Sequence, residues 1–155
     1  DLALGLIPTL DRGFYQQALF DQDWVCLCNA DHPSIGEKFH LKHYLAEAHV
    51  GIVSGTGAQL LESALQKLGK PRRVQLALPG FLGLPGILST SDLVATLPRH
   101  IGETLAQAAG LRVLPCPVAI EGFTVKQYWH TRYHQDPANR WLRSVCAELF
   151  LNKRR

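Results

Sequence analysis

Between Val50 and Pro71 a short apolar run, Val50-Gly51-Ile52-Val53, passes through Ser54-Gly55-Thr56-Gly57 into an amphipathic run from Ala58 to Leu68, which Gly69 and Pro71 stop. A buried strand that turns directly into a helix has few ways to hide both of its faces. The usual one is a parallel sheet covered by its own crossover helices. Leu61, Leu65 and Leu68 supply the stripe by which such a helix packs. Thr56 and Gln59 have the spacing of a capping box, in which the hydroxyl takes up an orphan amide of the first turn.

The same alternation runs through the rest of the chain. Leu2-Ala3-Leu4 is a short apolar run closed by Gly5, and Trp24–Cys28 reads as a strand with Trp24, Cys26 and Cys28 on one face. Asp31-His32-Pro33-Ser34 is a turn, and Leu41, Tyr44 and Leu45 mark a short helix. Val74, Leu76 and Leu78 alternate as a half-buried strand, and Phe81–Ser89 is a short helix that must keep Pro85 near its first turn. Asp92–Leu97 is a strand ended by Pro98, and Ile101, Leu105 and Ala108 mark a helix stopped by Gly110. Leu111–Leu114 is a strand before the Pro115-Cys116-Pro117 corner, and Phe123–His130 is a long strand. The last helix opens on Asp136 as cap and Pro137 at its first position, with Leu142, Val145, Cys146 and Leu149 as its stripe. With no internal repeat or low-complexity linker, the expectation is an α/β chain with a largely parallel sheet.

A chain of 155 residues buries roughly 70% of its unfolded surface, so a proper core is available. Its 46% hydrophobic and 19% charged content is that of a globular protein, and no apolar run approaches the roughly 18 residues of a membrane span. There is no charged-then-apolar leader, so Cys26, Cys28, Cys116 and Cys146 are expected as reduced thiols. The chain starts at Asp1 inside an apolar stretch and has no methionine, which reads as a fragment whose upstream part is missing. The net charge of +3 and pI near 8.8 owe part of their excess to Lys153-Arg154-Arg155, and the concentrated basic face of a DNA-binding domain is absent from the sequence.

Ser54-Gly55-Thr56-Gly57 is the strongest local chemical feature. Amides and hydroxyls at a helix N-terminus suit an anion, although ordinary capping with no ligand is the simpler reading of these residues alone. The third glycine of a dinucleotide fingerprint would fall at Leu60, and no phosphate loop occurs. Arg99 and His100 follow a strand end, where α/β sheets bind ligands, and read either as cations for a carboxylate or as a solvated helix start. Cys26-x-Cys28 lacks metal or redox spacing and reads as core packing. The seven histidines, including the pairs His40/His43 and His130/His134, lack converging ligands, and no nucleophile elbow or carboxylate pair stands out. No metal, no cofactor and no enzyme activity is expected.

These pieces resemble one known family in order. Asp1-Leu2-Ala3-Leu4-Gly5 resembles the D-x-A-x-G strand of LysR-type effector domains. Leu19-Phe20 through Cys28, with Asp31-His32-Pro33, is similar to the opening of their second lobe. Pro85-Gly86-Ile87-Leu88 and Asp92-Leu93-Val94-Ala95-Thr96-Leu97-Pro98 resemble the helix and strand that follow, with Asp92 where glycine is common. Tyr128-Trp129-His130, Asp136-Pro137-Ala138 and Trp141-Leu142 resemble the closing strand and helix. Gly13-Phe14-Tyr15-Gln16 and the Trp-His pair are similar to members sensing naphthalene-, salicylate- or nitroaromatic-type compounds.

The resemblance implies a Rossmann-like lobe of a type 2 periplasmic-binding-protein fold with part of the second lobe. Lobe two would be residues 12–117 and partial lobe one residues 1–11 and 118–152, with the DNA-binding winged helix-turn-helix absent. It implies an effector-sensing and oligomerisation module in the cytoplasm, a dimer or tetramer that touches DNA only through the missing domain and touches no membrane. The effector, an aromatic carboxylate by this likeness, would lie between lobes against Phe20, Gln22, Ser54, Thr56, Arg99 and His100. Gln22 stands where some relatives have histidine, and His100 where they often have arginine. The alternative is a solute-binding protein of a transporter, which shares the fold.

Overall fold

The computed structural model describes residues 1–151; the basic run Lys153-Arg154-Arg155 lies outside them. In chain order the elements are β1 (Ala3–Gly5), β2 (Phe14–Gln22), β3 (Trp24–Cys28), α1 (Leu41–Ala46), β4 (Ala48–Ile52), α2 (Thr56–Lys67) and β5 (Arg73–Leu78). There follow α3 (Leu84–Leu88), β6 (Leu93–Pro98), α4 (Arg99–Ala109), β7 (Arg112–Pro115), β8 (Phe123–His130) and α5 (Pro137–Leu151). They form two compact units: Asp23–Glu121, and Asp1–Gln22 together with the described residues from Gly122 onward. Residues 12–22, grouped with lobe two by resemblance, pair through β2 with β8 and so fall in the second, smaller unit.

The Asp23–Glu121 unit is built on a five-stranded sheet of order β5-β4-β6-β3-β7. β4 is parallel to β5 and β6, and β3 is antiparallel to β6 and β7. Four strands therefore point one way and β3 runs against them, which is the expected largely parallel sheet with one reversed strand. Every residue of β3 is buried, Val25 and Leu27 as fully as Cys26 and Cys28, so the strand is covered on both faces rather than one. On one side Leu27, Val50, Leu84, Leu88, Ala95 and Leu97 form a continuous core.

The helices differ from the sequence reading where side-chain size matters. α4 buries Gly102 and Ala106 while Ala108 stays exposed, because a Cβ at Gly102 would come within 2.6 Å of Val25 Cγ2. Ile101 and Leu105 of the expected stripe pack half-buried against the same core, with Gly102 and Ala106 at the closest approach. α4 ends at Gly110, in the left-handed region at φ 65°, as its stop signal required. α2 is capped by Gly55 rather than Thr56: the turn out of β4 needs φ 86°, which glycine alone adopts readily, and this makes Thr56 the first helical residue. The expected Thr56–Gln59 capping box is therefore replaced by an N-terminus without any side-chain cap.

The smaller unit is an antiparallel sheet of order β1-β8-β2, with α5 packed on β2. β2 had no counterpart in the sequence reading. Phe14-Tyr15 and Gln16-Gln17 are like-natured neighbours that destroy a period of two, and a register shift falls between Ala18 and Phe20. α5 starts at Pro137 as expected, and Asp136 Oδ1 accepts the Asn139 amide at 2.7 Å. Of its expected stripe, Cys146 is buried but Leu142 and Leu149 are 40% and 55% exposed. α5 is held instead by polar and aromatic contacts: Arg143 lies 4.3 Å over the Trp129 ring, and Phe150 stacks on Phe20 at 4.9 Å.

Candidate functional site

β4 and β6 are neighbours in parallel register, with Ala48 opposite Leu93 and Val50 opposite Ala95. Both therefore deliver their carboxyl ends to the same edge of the sheet. At that edge β4 runs through Val53 and Ser54 into α2, and β6 runs through Pro98 into α4. Two helix N-termini, of a 12-residue and an 11-residue helix and neither with a side-chain cap, thus stand at the ends of adjacent strands. Amide donors and the positive ends of two helix dipoles favour a negative group there. Ser54 and Thr56 follow the end of β4, and Arg99 and His100 follow the end of β6.

Their side chains have different tasks. The Ser54 hydroxyl donates to the Pro79 carbonyl, tying the loop after β4 to the loop after β5, and Thr56 is half-buried at the start of α2. Below them, Gly57 admits the Trp24 indole, whose Cη2 would lie 3.4 Å from an added Cβ, and the indole Nε1 donates to the Glu121 carbonyl at 3.1 Å. His100 is exposed on the first turn of α4.

Arg99 is committed to the scaffold. Its Nε and Nη2 donate to the two Asp23 carboxylate oxygens at 2.6 and 2.7 Å, and Nη1 donates to Glu103 at 3.2 Å. The Arg99 amide also donates to the Asp23 carbonyl at 2.9 Å. The hydrogen bonds from Arg99 hold the Asp23 carboxyl below its ordinary range, and Arg99 is correspondingly raised. The guanidinium read as a cation for a ligand thus already has two carboxylate partners. Asp23 was missed because nothing local marks a partner 76 residues away.

Phe20 and Gln22 lie in the smaller unit. Phe20 stacks on Phe150, and Gln22 is buried with its Nε2 donating to the Asp21 carbonyl at 3.1 Å. That unit also has a pocket of about 520 Å³ against Ile7, Leu10, Phe14, Tyr128 and His130. It contains none of the six expected residues and lacks converging helix N-termini, so the sheet edge is the stronger candidate site. Among the described residues no group of three or more His, Cys, Asp or Glu side chains is placed to hold a metal ion.

A lobe with this strand order, one reversed strand and helices that follow the parallel strands is the Rossmann-like half of a type 2 periplasmic-binding-protein fold. The sequence profile described as the LysR substrate binding domain matches residues 1–151, and the chain belongs to that family. It is 36% identical over 151 residues to the HTH-type transcriptional activator NahR of Pseudomonas putida, and 38% identical over 151 residues to the HTH-type transcriptional activator NagR of a Ralstonia species. Each match covers 97% of this chain and 50% of the relative, so the chain spans about half the length of these curated relatives. The regulatory domain of MexT, a transcriptional activator in Pseudomonas aeruginosa, superposes with a TM-score of 0.80 at 27% identity, covering 96% of this chain and 73% of that one. These relatives are regulators rather than enzymes or transporter components. No described helix is long and apolar enough to cross a membrane.

Proposed function

We propose that the chain is the effector-sensing and oligomerisation part of a bacterial LysR-type transcription regulator, taking a small aromatic carboxylate at the carboxyl edge of its five-stranded sheet. The observation that carries this reading is the pair of helix N-termini, α2 and α4, whose N-cap residues make no side-chain cap, at the ends of adjacent parallel strands. A carboxylate matches their amides and dipoles, and the His100 imidazole stands on the first turn of α4 beside them. Arg99 acts indirectly, holding the start of α4 to Asp23. Phe20 and Gln22 are carried in the proposal by the family resemblance alone.

The working unit in this reading is a homo-oligomer in the cytoplasm, without catalysis, reaching DNA only through a separate winged helix-turn-helix. The effector shifts an existing equilibrium between conformations through its unequal affinity for them. Kinship to two transcriptional activators supports this over a transporter's solute-binding protein.

Thermal unfolding against a panel of small aromatic carboxylates tests the site. A ligand at 100 times its dissociation constant adds about 2.7 kcal/mol to the unfolding free energy. The expected result is a saturable rise in Tm that the His100→Ala variant weakens and a matched neutral amide of the same ring does not produce. A panel without any saturable shift overturns these residues as a sufficient site.

A further inference from the structure

Trp129, near the end of β8, is buried, and its indole Nε1 donates to His134 Nδ1 at 3.2 Å across the corner between β8 and α5. The planes of the two rings lie 6° apart. An indole N–H can only donate, so His134 Nδ1 must offer a lone pair, and the imidazole is the neutral form with its proton on Nε2. This bond therefore exists in one protonation state alone. A second contact of the same ring does not share that restriction. The imidazole rests on Tyr15 of β2, with centroids 4.2 Å apart and planes tilted by 30°, and a ring that gains positive charge is still attracted to an aromatic face.

The surroundings amplify the difference. Arg143 of α5 lies 4.3 Å over the Trp129 ring, its Nη2 donates to the His134 carbonyl at 3.0 Å, and its Nη1 donates to Asn139 Oδ1 at 2.9 Å. Asn139 is buried and its Nδ2 donates to the Asp1 carbonyl at 3.0 Å, so one network joins the corner, the first turns of α5 and the segment before β1. The other charged and titratable groups of the corner have their own contacts. The Arg132 guanidinium lies 4.6 Å from the Tyr133 ring centroid, His130 Nδ1 accepts the Arg132 amide at 3.3 Å, and Asp136 Oδ1 accepts the Asn139 amide at 2.7 Å. Arg140, one turn before Ser144 on α5, lines a pocket together with Trp129 and Arg143. Among the described residues no carboxylate forms an ion pair with His134. A proton taken up by this ring is thus added near arginines, with no counter-charge paired to it.

We propose that His134 is a proton-operated latch on the corner between β8 and α5. Neutral, it holds the Trp129 indole; protonated, it turns a donor towards a donor, releases the indole and keeps its place on Tyr15. The released N–H belongs to a buried side chain and must turn towards water to find an acceptor. Arg143 rests on the same ring and also holds the His134 carbonyl, so the movement reaches the first turns of α5.

The test is heteronuclear NMR of the whole isotope-labelled chain, following the imidazole nitrogens of His134 and the indole N–H of Trp129 from about pH 8 to about pH 5. The expected result is an Nε2–H tautomer at the alkaline end. As the pH falls, the Trp129 indole resonance should move with the same midpoint as the His134 ring, and its proton should exchange with solvent about tenfold faster once the bond is open. The indoles of Trp24 and Trp141 serve as references. His134→Gln offers a carbonyl oxygen that accepts without titrating, so in that variant the Trp129 resonance should stay put. An indole that stays still while His134 is protonated, or that moves with another midpoint, overturns the proposal. So does an Nδ1–H tautomer at the alkaline end, or an imidazole that stays neutral throughout. The unmutated protein decides between these outcomes by itself, so a variant that fails to fold does not blur the answer.

Discussion

Arg99 follows the end of β6, at the edge proposed for a carboxylate, yet Asp23 and Glu103 already occupy its donors. The Arg99 and Asp23 side chains are 42% and 62% exposed, so their pairing is screened by water and salt. A double-mutant cycle with Asp23→Ala and Arg99→Ala should give a coupling of about 1 kcal/mol or less, shrinking as salt rises. A coupling above about 2 kcal/mol would mean the pair is far less solvated than its exposure indicates. His49 is the opposite case. It is fully buried, its Nε2 bonds to the Tyr44 carbonyl at 2.7 Å, and burial lowers its pKa to about 4. In the unfolded chain the imidazole titrates near 6.5, so between about 6.5 and 4 the unfolded state binds more protons. Stability should therefore fall as the pH drops through that window, by up to about 1.4 kcal/mol per pH unit from this group, and level off below it. Urea unfolding between pH 7 and 4 reads the slope. The His49→Gln variant should lose that component whatever its absolute stability, and an unchanged slope would assign the acid sensitivity elsewhere.

Elements in this chain were legible where caps and breakers agree with periodicity. The Ser54-Gly55-Thr56-Gly57 joint before α2 (though not which residue caps it), the Gly110 stop of α4 and the Asp136-Pro137 start of α5 are signals carried within a few residues. β2 was not legible, because its partner β8 lies over a hundred positions away and its own residues do not alternate. The same holds at the site: Ser54, Thr56, Arg99 and His100 are visible as groups just past strand ends, whereas Asp23 becomes relevant only once β3 is laid beside β6. α4 adds a finer lesson. Its apolar stripe indicates which side faces inward, but only packing shows that Gly102 sits at the closest approach, 2.6 Å from Val25 Cγ2 for a Cβ that is not there. Helix propensity alone favours Gly102→Ala by about 1 kcal/mol. The clash should win, because Val25 is itself fully buried and has nowhere to go, giving a net loss of about 1–3 kcal/mol. Urea denaturation decides it, and a variant more stable than the parent would show that α4 can lift off β3 cheaply.

At the scale of the molecule the two units differ in how well each covers its own sheet. In Asp23–Glu121, β3 is buried throughout and β6 nearly so, and α3 and α4 pack against that sheet. In the smaller unit β1 has three residues, Phe14–Ala18 of β2 are exposed, and Leu4, Tyr15, Leu142 and Leu149 are each at least 40% exposed. Few buried apolar contacts mean a low free energy of local opening. Native-state hydrogen exchange of the chain should therefore find its slowest amides in Val25–Cys28 and Val94–Leu97, with those of β1 and the first half of β2 at least tenfold less protected, an opening gap of about 1.4 kcal/mol or more. Protection of β2 equal to that of β3 at every protein concentration would contradict the link between coverage and local stability. If β2 reaches that protection only as concentration rises, self-association covers the exposed sheet. That outcome would tie the proposed homo-oligomer to the exposed sheet of the smaller unit.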